Sequence, residues 1–293
     1  MRITETILFR ELLRSLAENR EQLGVRNQRM ATGEKLRHPS DDPTAYLKYT
    51  AYRRIQRSLQ DYQQNVEDGL NWTQTTSNLL DQIHDALNAA HDVAIQAADA
   101  TIDASSRAAL AERVDGLIRQ IISIATSRFI GKNLFAGTKT DISEVFTYDG
   151  SSVTYNGNDG SLTRAVSKSV TLQINVTGQE LIDAGVFSSL LDLKNALENN
   201  DEDAIRTAID DIQNAGDEVL AINGRIGSIQ KNLNSAKNHL EIVSNHLEEL
   251  ISKVKDVDMA SEITRYNLEE ISYRAAMQAT SELLNLNILN YLR

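Results

Sequence analysis

The sequence predicts a mainly helical protein: an elongated antiparallel bundle, coiled-coil in character, with a small β-rich insertion at its tip. Three observations carry this. Only two prolines occur, Pro39 and Pro43, so no residue after Pro43 has the ring that breaks a helix. Apolar residues recur in alternating steps of three and four over two long stretches, the signature of a helix-on-helix seam. Between those stretches the period changes and glycines cluster.

Residues 1–41 begin with a thin stripe. From Phe9 the steps give Leu12, Leu16, Asn19, Leu23, Arg26 and Met30 on an otherwise charged helix. Such a helix is marginal in water when alone, so the segment is expected to be an N-terminal assembly helix, disordered when the chain is free. Asp42 suits an N-cap and Pro43 the first helical position, where a missing N–H is no loss.

The outgoing rod helices are expected over 42–128. From Ile55 the seam runs through Leu59, Tyr62, Val66, Gly69, Thr73, Thr76, Leu80, Ile83, Leu87, Ala90 and Ala94. Its two apolar halves share one register across a weaker polar middle, which predicts one long helix. A shorter helix follows, capped by Asp103 or Ser105, with Leu110, Val114, Leu117, Ile121 and Ile124 on one face.

Over 129–185 glycines at 131, 137, 150, 157, 160 and 178 alternate with short β-branched or aromatic runs, Val145 to Tyr148, Val153 to Tyr155 and Val170 to Val176. Asp149-Gly150 and Asn156-Gly157 are turn signals between them. Helical periodicity resumes near Val186 and the returning rod helix is expected over 186–258. Its seam is Ile205, Ala208, Ile212, Ala215, Val219, Ile222, Ile226, Ile229, Leu233, Ala236, Leu240, Val243, Leu247, Leu250, Val254 and Val257. About seven heptads of this pattern span roughly 80 Å. Residues 259–293 form a C-terminal assembly helix, with a stripe of Leu268, Ile271, Ala275, Ala279, Leu283, Leu286, Leu289 and Leu292.

Composition narrows the function. A net charge of -11 argues against a nucleic acid or an anionic membrane as partner, with local basic patches left open. Aromatics make up 5 % of the chain, which fits thin helical seams better than a thick globular core. Without cysteine there is no disulfide framework, thiolate metal site or cysteine nucleophile. Met1 to Leu13 mixes charges with isolated apolar residues, unlike a cleavable signal peptide. If the chain leaves the cell, the expected route is not the general secretory one.

No catalytic, cofactor or metal site is expected. His84 and His91 are seven residues apart, as are His239 and His246, so each pair lies about 10 Å apart along a helix, too far for one zinc. Asp41-Asp42 reads as a helix start, and Asp256-Val257-Asp258 lacks the glycine-containing loop of a calcium site. Asn71-Trp72-Thr73 and Asn175-Val176-Thr177 match the glycosylation pattern, which is short enough to arise by chance.

Several segments resemble the flagellin superfamily and, within it, the hook-associated protein 3 (FlgL-type) family. The stretch Met30-Ala31-Thr32-Gly33-Glu34-Lys35-Leu36-Arg37-His38-Pro39-Ser40-Asp41-Asp42-Pro43 is similar to the N-terminal signature, and its Pro-Ser-Asp-Asp-Pro ending favours the junction family over flagellin. Asn133-Leu134-Phe135-Ala136-Gly137-Thr138-Lys139-Thr140 and the segment from Asp256 through Leu283-Leu284 to Leu292 are similar as well. The resemblance implies a flagellin-like fold and a structural, non-enzymatic protein of the extracellular flagellum, joining hook-associated protein 1 to flagellin as a ring of identical subunits. It also implies export by the flagellar type III apparatus and a FlgN-type export chaperone at the C-terminal helices. The interface so implied comprises Phe9, Leu12, Leu16, Leu23, Met30, Leu268, Ile271, Ala275, Leu283, Leu286, Leu289 and Leu292. Two other readings stay open, a flagellin-like filament subunit and an unrelated cytosolic coiled-coil scaffold.

Overall fold

The computed structural model describes residues 2–99 and 101–291, with side chains for all of these except 2–6, 8 and 283–291. The helices are α1 (Arg2–Thr32), α2 (Pro43–Ala97), α3 (Ala104–Ala125), α4 (Gly178–Asp183), α5 (Val186–Glu198), α6 (Glu202–Lys255) and α7 (Met259–Tyr291). Six short strands lie between α3 and α4: β1 (Arg128–Phe129), β2 (Lys132–Asn133), β3 (Phe146–Tyr148), β4 (Val153–Tyr155), β5 (Thr163–Ala165) and β6 (Thr171–Gln173). The chain divides into two compact units, residues 58–242 and residues 1–57 with 243–293.

In the unit 58–242 the apolar seams of α2 and α6 face each other and run antiparallel. Glu67 meets Lys237, Ser77 and Asp81 both bond Asn223, and His84 lies against Gly216. Gly69 fits because a Cβ there would stand 3.3 Å from Leu233 and 3.4 Å from Ile174. From Leu59 to Ala94 the expected α2 positions are buried, with Tyr62 half-buried. The polar middle is buried too, because Thr73 and Thr76 donate their hydroxyls to the carbonyls of Gly69 and Trp72 in the preceding turn. That satisfies groups which would otherwise oppose burial.

The helix α3 packs on α5. Asp103, not Ser105, is its N-cap, accepting from the Ser106 N–H at 2.8 Å. Its buried line is Ala111, Val114, Ile118, Ile121 and Ala125, turned slightly from the expected face. Arg107, 2 % exposed, closes one end of this layer. It donates to the Ala97 carbonyl, to Asn200 Oδ1 at 2.7 Å and to Glu202 Oε1 at 2.9 Å, so the α2–α3 turn is tied to the α5–α6 turn. Here the expected single returning helix is broken. Asn200 adopts a positive φ of 52°, Asp201 caps the next helix through the N–H groups of Asp203 and Ala204, and α6 starts afresh at Glu202.

The strands form three separate antiparallel hairpins. Tyr148 of β3 donates to Asp115 Oδ1 on α3 at 2.5 Å, while Lys194 of α5 reaches the same carboxylate at 2.8 Å and the Gly150 carbonyl at 2.9 Å. Burial raises the Asp115 pKa, but hydrogen bonds from Lys194, Tyr148 and Arg119 together outweigh it and hold the carboxyl well below the usual range. Asn158 binds the Thr138 and Gly160 N–H groups, and Gly137 has φ +67°, where a Cβ would overlap the Asn158 carbonyl. Gly178, which reads as a turn residue, instead opens the short helix α4.

The unit formed by 1–57 and 243–293 contains α1, the start of α2, the end of α6 and α7. Asp42 Oδ1 accepts from the Ala45 N–H at 2.9 Å and Pro43 is the first residue of α2, so this helix starts where its capping chemistry places it. Ile55 departs from expectation. It is 49 % exposed, because the half-buried face of early α2 is built from Tyr46, Tyr49 and Tyr52. Val257 is likewise not part of α6, which ends at Lys255.

Candidate assembly interface

The α1–α2 and α6–α7 connections lie side by side. Gly33, with φ +72°, ends α1, and its carbonyl accepts from the Val257 N–H at 2.9 Å. The N–H groups of Lys35 and Leu36 share the Lys255 carbonyl, Glu34 bridges to Asp256, and Lys35 Nζ donates to the Lys253 carbonyl at 2.6 Å. Lys255 Nζ returns to Glu34 Oε1 at 2.5 Å, which raises the Lys255 pKa. Leu36 is buried beneath this joint. Asp41 accepts from the N–H groups of His38 and Arg37, which lower its pKa in that order. Asp258 caps α7 through the N–H groups of Ala260 and Ser261. The paired carboxylates at both connections are therefore turn and cap groups.

Beyond the joint, α1 packs along α7. Phe9, Leu12, Leu16, Leu23 and Met30 are all half-buried and share a face with Arg26. Arg26 donates to Glu269 Oε1 at 2.5 Å and to Glu262 Oε1 at 3.0 Å, and Glu269 leads in raising its pKa. The α7 face turned inward is thus polar: Glu262, Tyr266, Glu269, Tyr273, Ala276 and Thr280 repeat in steps of three and four, all of them buried or half-buried. Its apolar stripe points elsewhere. Leu268 and Ile271 are each 67 % exposed, and Ala275, Ile263 and Met277 are exposed as well.

The expected interface residues therefore divide. Those on α1 lie half-buried within the chain, whereas Leu268, Ile271 and Ala275 face outward. The side chains of Leu283, Leu286 and Leu289, and the whole of Leu292, lie outside the described residues. The sequence reading missed the polar inner face, although Glu262 and Glu269, seven apart with Tyr266 and Tyr273 beside them, form a second heptad on the same helix. Among the described residues no group of His, Asp or Glu is arranged to hold a metal, and no helix is long and apolar enough to cross a membrane. Asn175 is buried, its side chain bonded to the Leu162 N–H and the Gly160 carbonyl, so it presents nothing to a glycosylating enzyme.

Comparison with known proteins places both ends of the chain in one family. Residues 3–140 match the bacterial flagellin N-terminal helical region and residues 208–292 the C-terminal helical region. The chain therefore belongs to the bacterial flagellin family, whose members are structural proteins and not enzymes. Within that family it is similar to flagellar hook-associated protein 3 of Salmonella typhimurium and of Escherichia coli, 24 % identical to each over 185 residues. That alignment covers 63 % of this chain and 57 % of either relative. Among solved structures, a Vibrio parahaemolyticus protein described as flagellar and hook-associated superposes with a TM-score of 0.68 at 22 % identity, over 74 % of this chain and 100 % of the other. Hook-associated protein 3 of Legionella pneumophila gives 0.63 at 13 % identity, over 70 % and 98 %. These likenesses establish the shared fold.

Proposed function

We propose that this chain is a junction subunit of the bacterial flagellum, set between hook-associated protein 1 and the first flagellin subunits as a ring of identical copies. The observation that supports this most directly is the outward apolar stripe of α7. Leucine and isoleucine in continuous rows on a helix gain roughly 1.5 to 3 kcal/mol each when fully buried, and here that burial has to come from neighbouring subunits. The similarity to hook-associated protein 3 supports the position in the structure.

The mechanism is coupled folding and association. The described parts of the two terminal segments, residues 2–41 and 259–291, are disordered in the free chain and take the paired helical form on assembly, because a half-polar seam offsets too little of an ordering cost of about 1 to 2 kcal/mol per residue. Export as an unfolded chain through the flagellar type III apparatus, with a FlgN-type chaperone on the C-terminal segment, fits that state and an extracellular destination. Limited proteolysis of the free protein is expected to leave a fragment beginning near Asp42 and ending near Asp258; resistance of the full-length chain overturns the coupling.

A deletion strain tests the position. Hooks without filaments, with flagellin shed into the medium, are the expected phenotype, and added purified protein should restore filaments. Filaments that persist in the deletion strain remove the junction reading.

A further inference from the structure

One helix face in this acidic chain runs against its overall charge. Residues 43–57 contain Lys48, Arg53, Arg54 and Arg57 and no acidic residue, although the chain carries a net charge of -11. On the outward side of that stretch of α2, Leu47 is 70 % exposed and Ile55 lies two turns further along. Neither Lys48 nor Arg57 has a hydrogen bond or ion pair among the described residues. Arg54 lies on the row of Leu47, one heptad on, so the face carries two large apolar side chains among cations, with Lys48 and Arg57 at its edges, which suits a helix that docks on an acidic surface.

The opposite chemistry is found between α5 and α6. Two adjoining grooves there, which share Asp192 and Asp211, are lined by Asp183, Asp192, Asp201, Asp211 and Glu218. No basic residue lines either groove, and their walls are otherwise small or polar side chains. Asp192, Asp211 and Glu218 make no side-chain hydrogen bond or ion pair among the described residues. Placement agrees as well as charge. Nine residues set Lys48 and Arg57 half a turn apart, on opposite edges of α2, and Asp192 on α5 and Asp211 on α6 stand on the two walls of the groove.

We infer that the early α2 face of one copy docks against the α5–α6 groove of a second copy, with Lys48 and Arg57 opposite its carboxylates and Leu47 and Ile55 covering its small-residue walls. The inference rests on the reading that copies of this chain assemble, and it names surfaces other than the terminal helices. A contact between two different faces of one protein is heterologous, so it propagates around a ring or along an open helix and does not stop at a pair.

Because the chain has no cysteine, engineered thiols report the contact without background. Full-length copies carrying Leu47→Cys are mixed at high concentration with copies carrying Asn195→Cys and oxidised by copper phenanthroline. A disulfide-linked heterodimer is expected well above the yield from a control pairing of Ile130→Cys with Asn195→Cys. Adding Asp192→Lys and Asp211→Lys to the groove copy should lower the yield by about tenfold through like-charge repulsion. Lys48→Glu and Arg57→Glu in the helix copy should then restore it. A yield no higher than the control, indifference to charge reversal, or no recovery in the double-reversed mixture overturns the inference. The same wild-type protein is scored for filament restoration on bare hooks. Restored filaments with a control-level cross-link remove this contact alone, whereas a specific cross-link without restoration keeps the contact and removes the junction reading.

Discussion

The two compact units place their apolar residues in opposite ways. In 58–242 the seam residues of α2, α3, α5 and α6 are buried or half-buried against one another, and buried polar groups such as Arg107 and the Thr73 hydroxyl have partners within the unit. In 1–57 with 243–293, α7 turns Glu262, Glu269 and its tyrosines toward α1 and leaves Leu268 and Ile271 outside. Identical three-and-four periodicity thus serves a completed core in one unit and a surface awaiting neighbours in the other. Periodicity measures amphipathicity, and the partner that covers the apolar side need not belong to the same chain.

The largest effect on stability is expected where the seam is closed. Leu233→Ala removes a fully buried side chain packed on Gly69, and should cost about 2 to 5 kcal/mol in denaturant unfolding. An unchanged midpoint would show that α2 and α6 do not share this seam. Next comes Arg107→Met, which leaves the acceptors of both turns without their donor and should lower stability by roughly 1.5 to 3 kcal/mol, with faster amide exchange around Asn200.

Acid sharpens the comparison further. The Asp115 carboxyl is held below its ordinary pKa in the folded protein, so its contribution is complete above the unfolded value of about 3.9 and is lost as pH falls below that value. Melting temperatures taken from neutral pH down to about pH 2.5 should fall less steeply in Asp115→Asn than in the parent. The smallest effect belongs to Leu268→Glu and Ile271→Glu. Both side chains are mostly exposed, so thermal unfolding should shift by no more than about 0.5 kcal/mol. Filament restoration should nevertheless fail, and a mutant that restores filaments as well as the parent does would show that the stripe is not an assembly surface.

Much of this contrast was legible in the residues. Asp42-Pro43 marked the start of α2, its shared register through Ala94 predicted one long helix, and the return to helical periodicity fell at Val186. The break at Asn199–Asp201 was missed although its signals are local, Asn200 in the left-handed region and Asp201 as a cap, because the apolar steps on either side drew one helix through them. The tie from Arg107, nearly a hundred residues away, was not legible. Ile55 was misread for a related reason: tyrosines one step away supply the inner face, and only tertiary packing distinguishes them. The α7 stripe was found, but its direction was not, since direction depends on which of two heptads meets α1. Arg26 decides that, and in sequence it is one polar residue within an apolar row.

The hairpins between α3 and α4 have a consequence for how such a chain can change length. Each pairs only with itself, so no backbone ladder runs from one hairpin to the next. In a continuous sheet, an added residue shifts register for every strand beyond it. Here an added residue shifts the register of one hairpin only. The turn between β5 and β6 is the most permissive of these places, because Val170 is exposed and the turn N–H groups of Val166 and Ser167 are bonded locally to the Val170 carbonyl. Lineages can therefore lengthen or trim this part of the surface one hairpin at a time, while the helices on either side keep their partners.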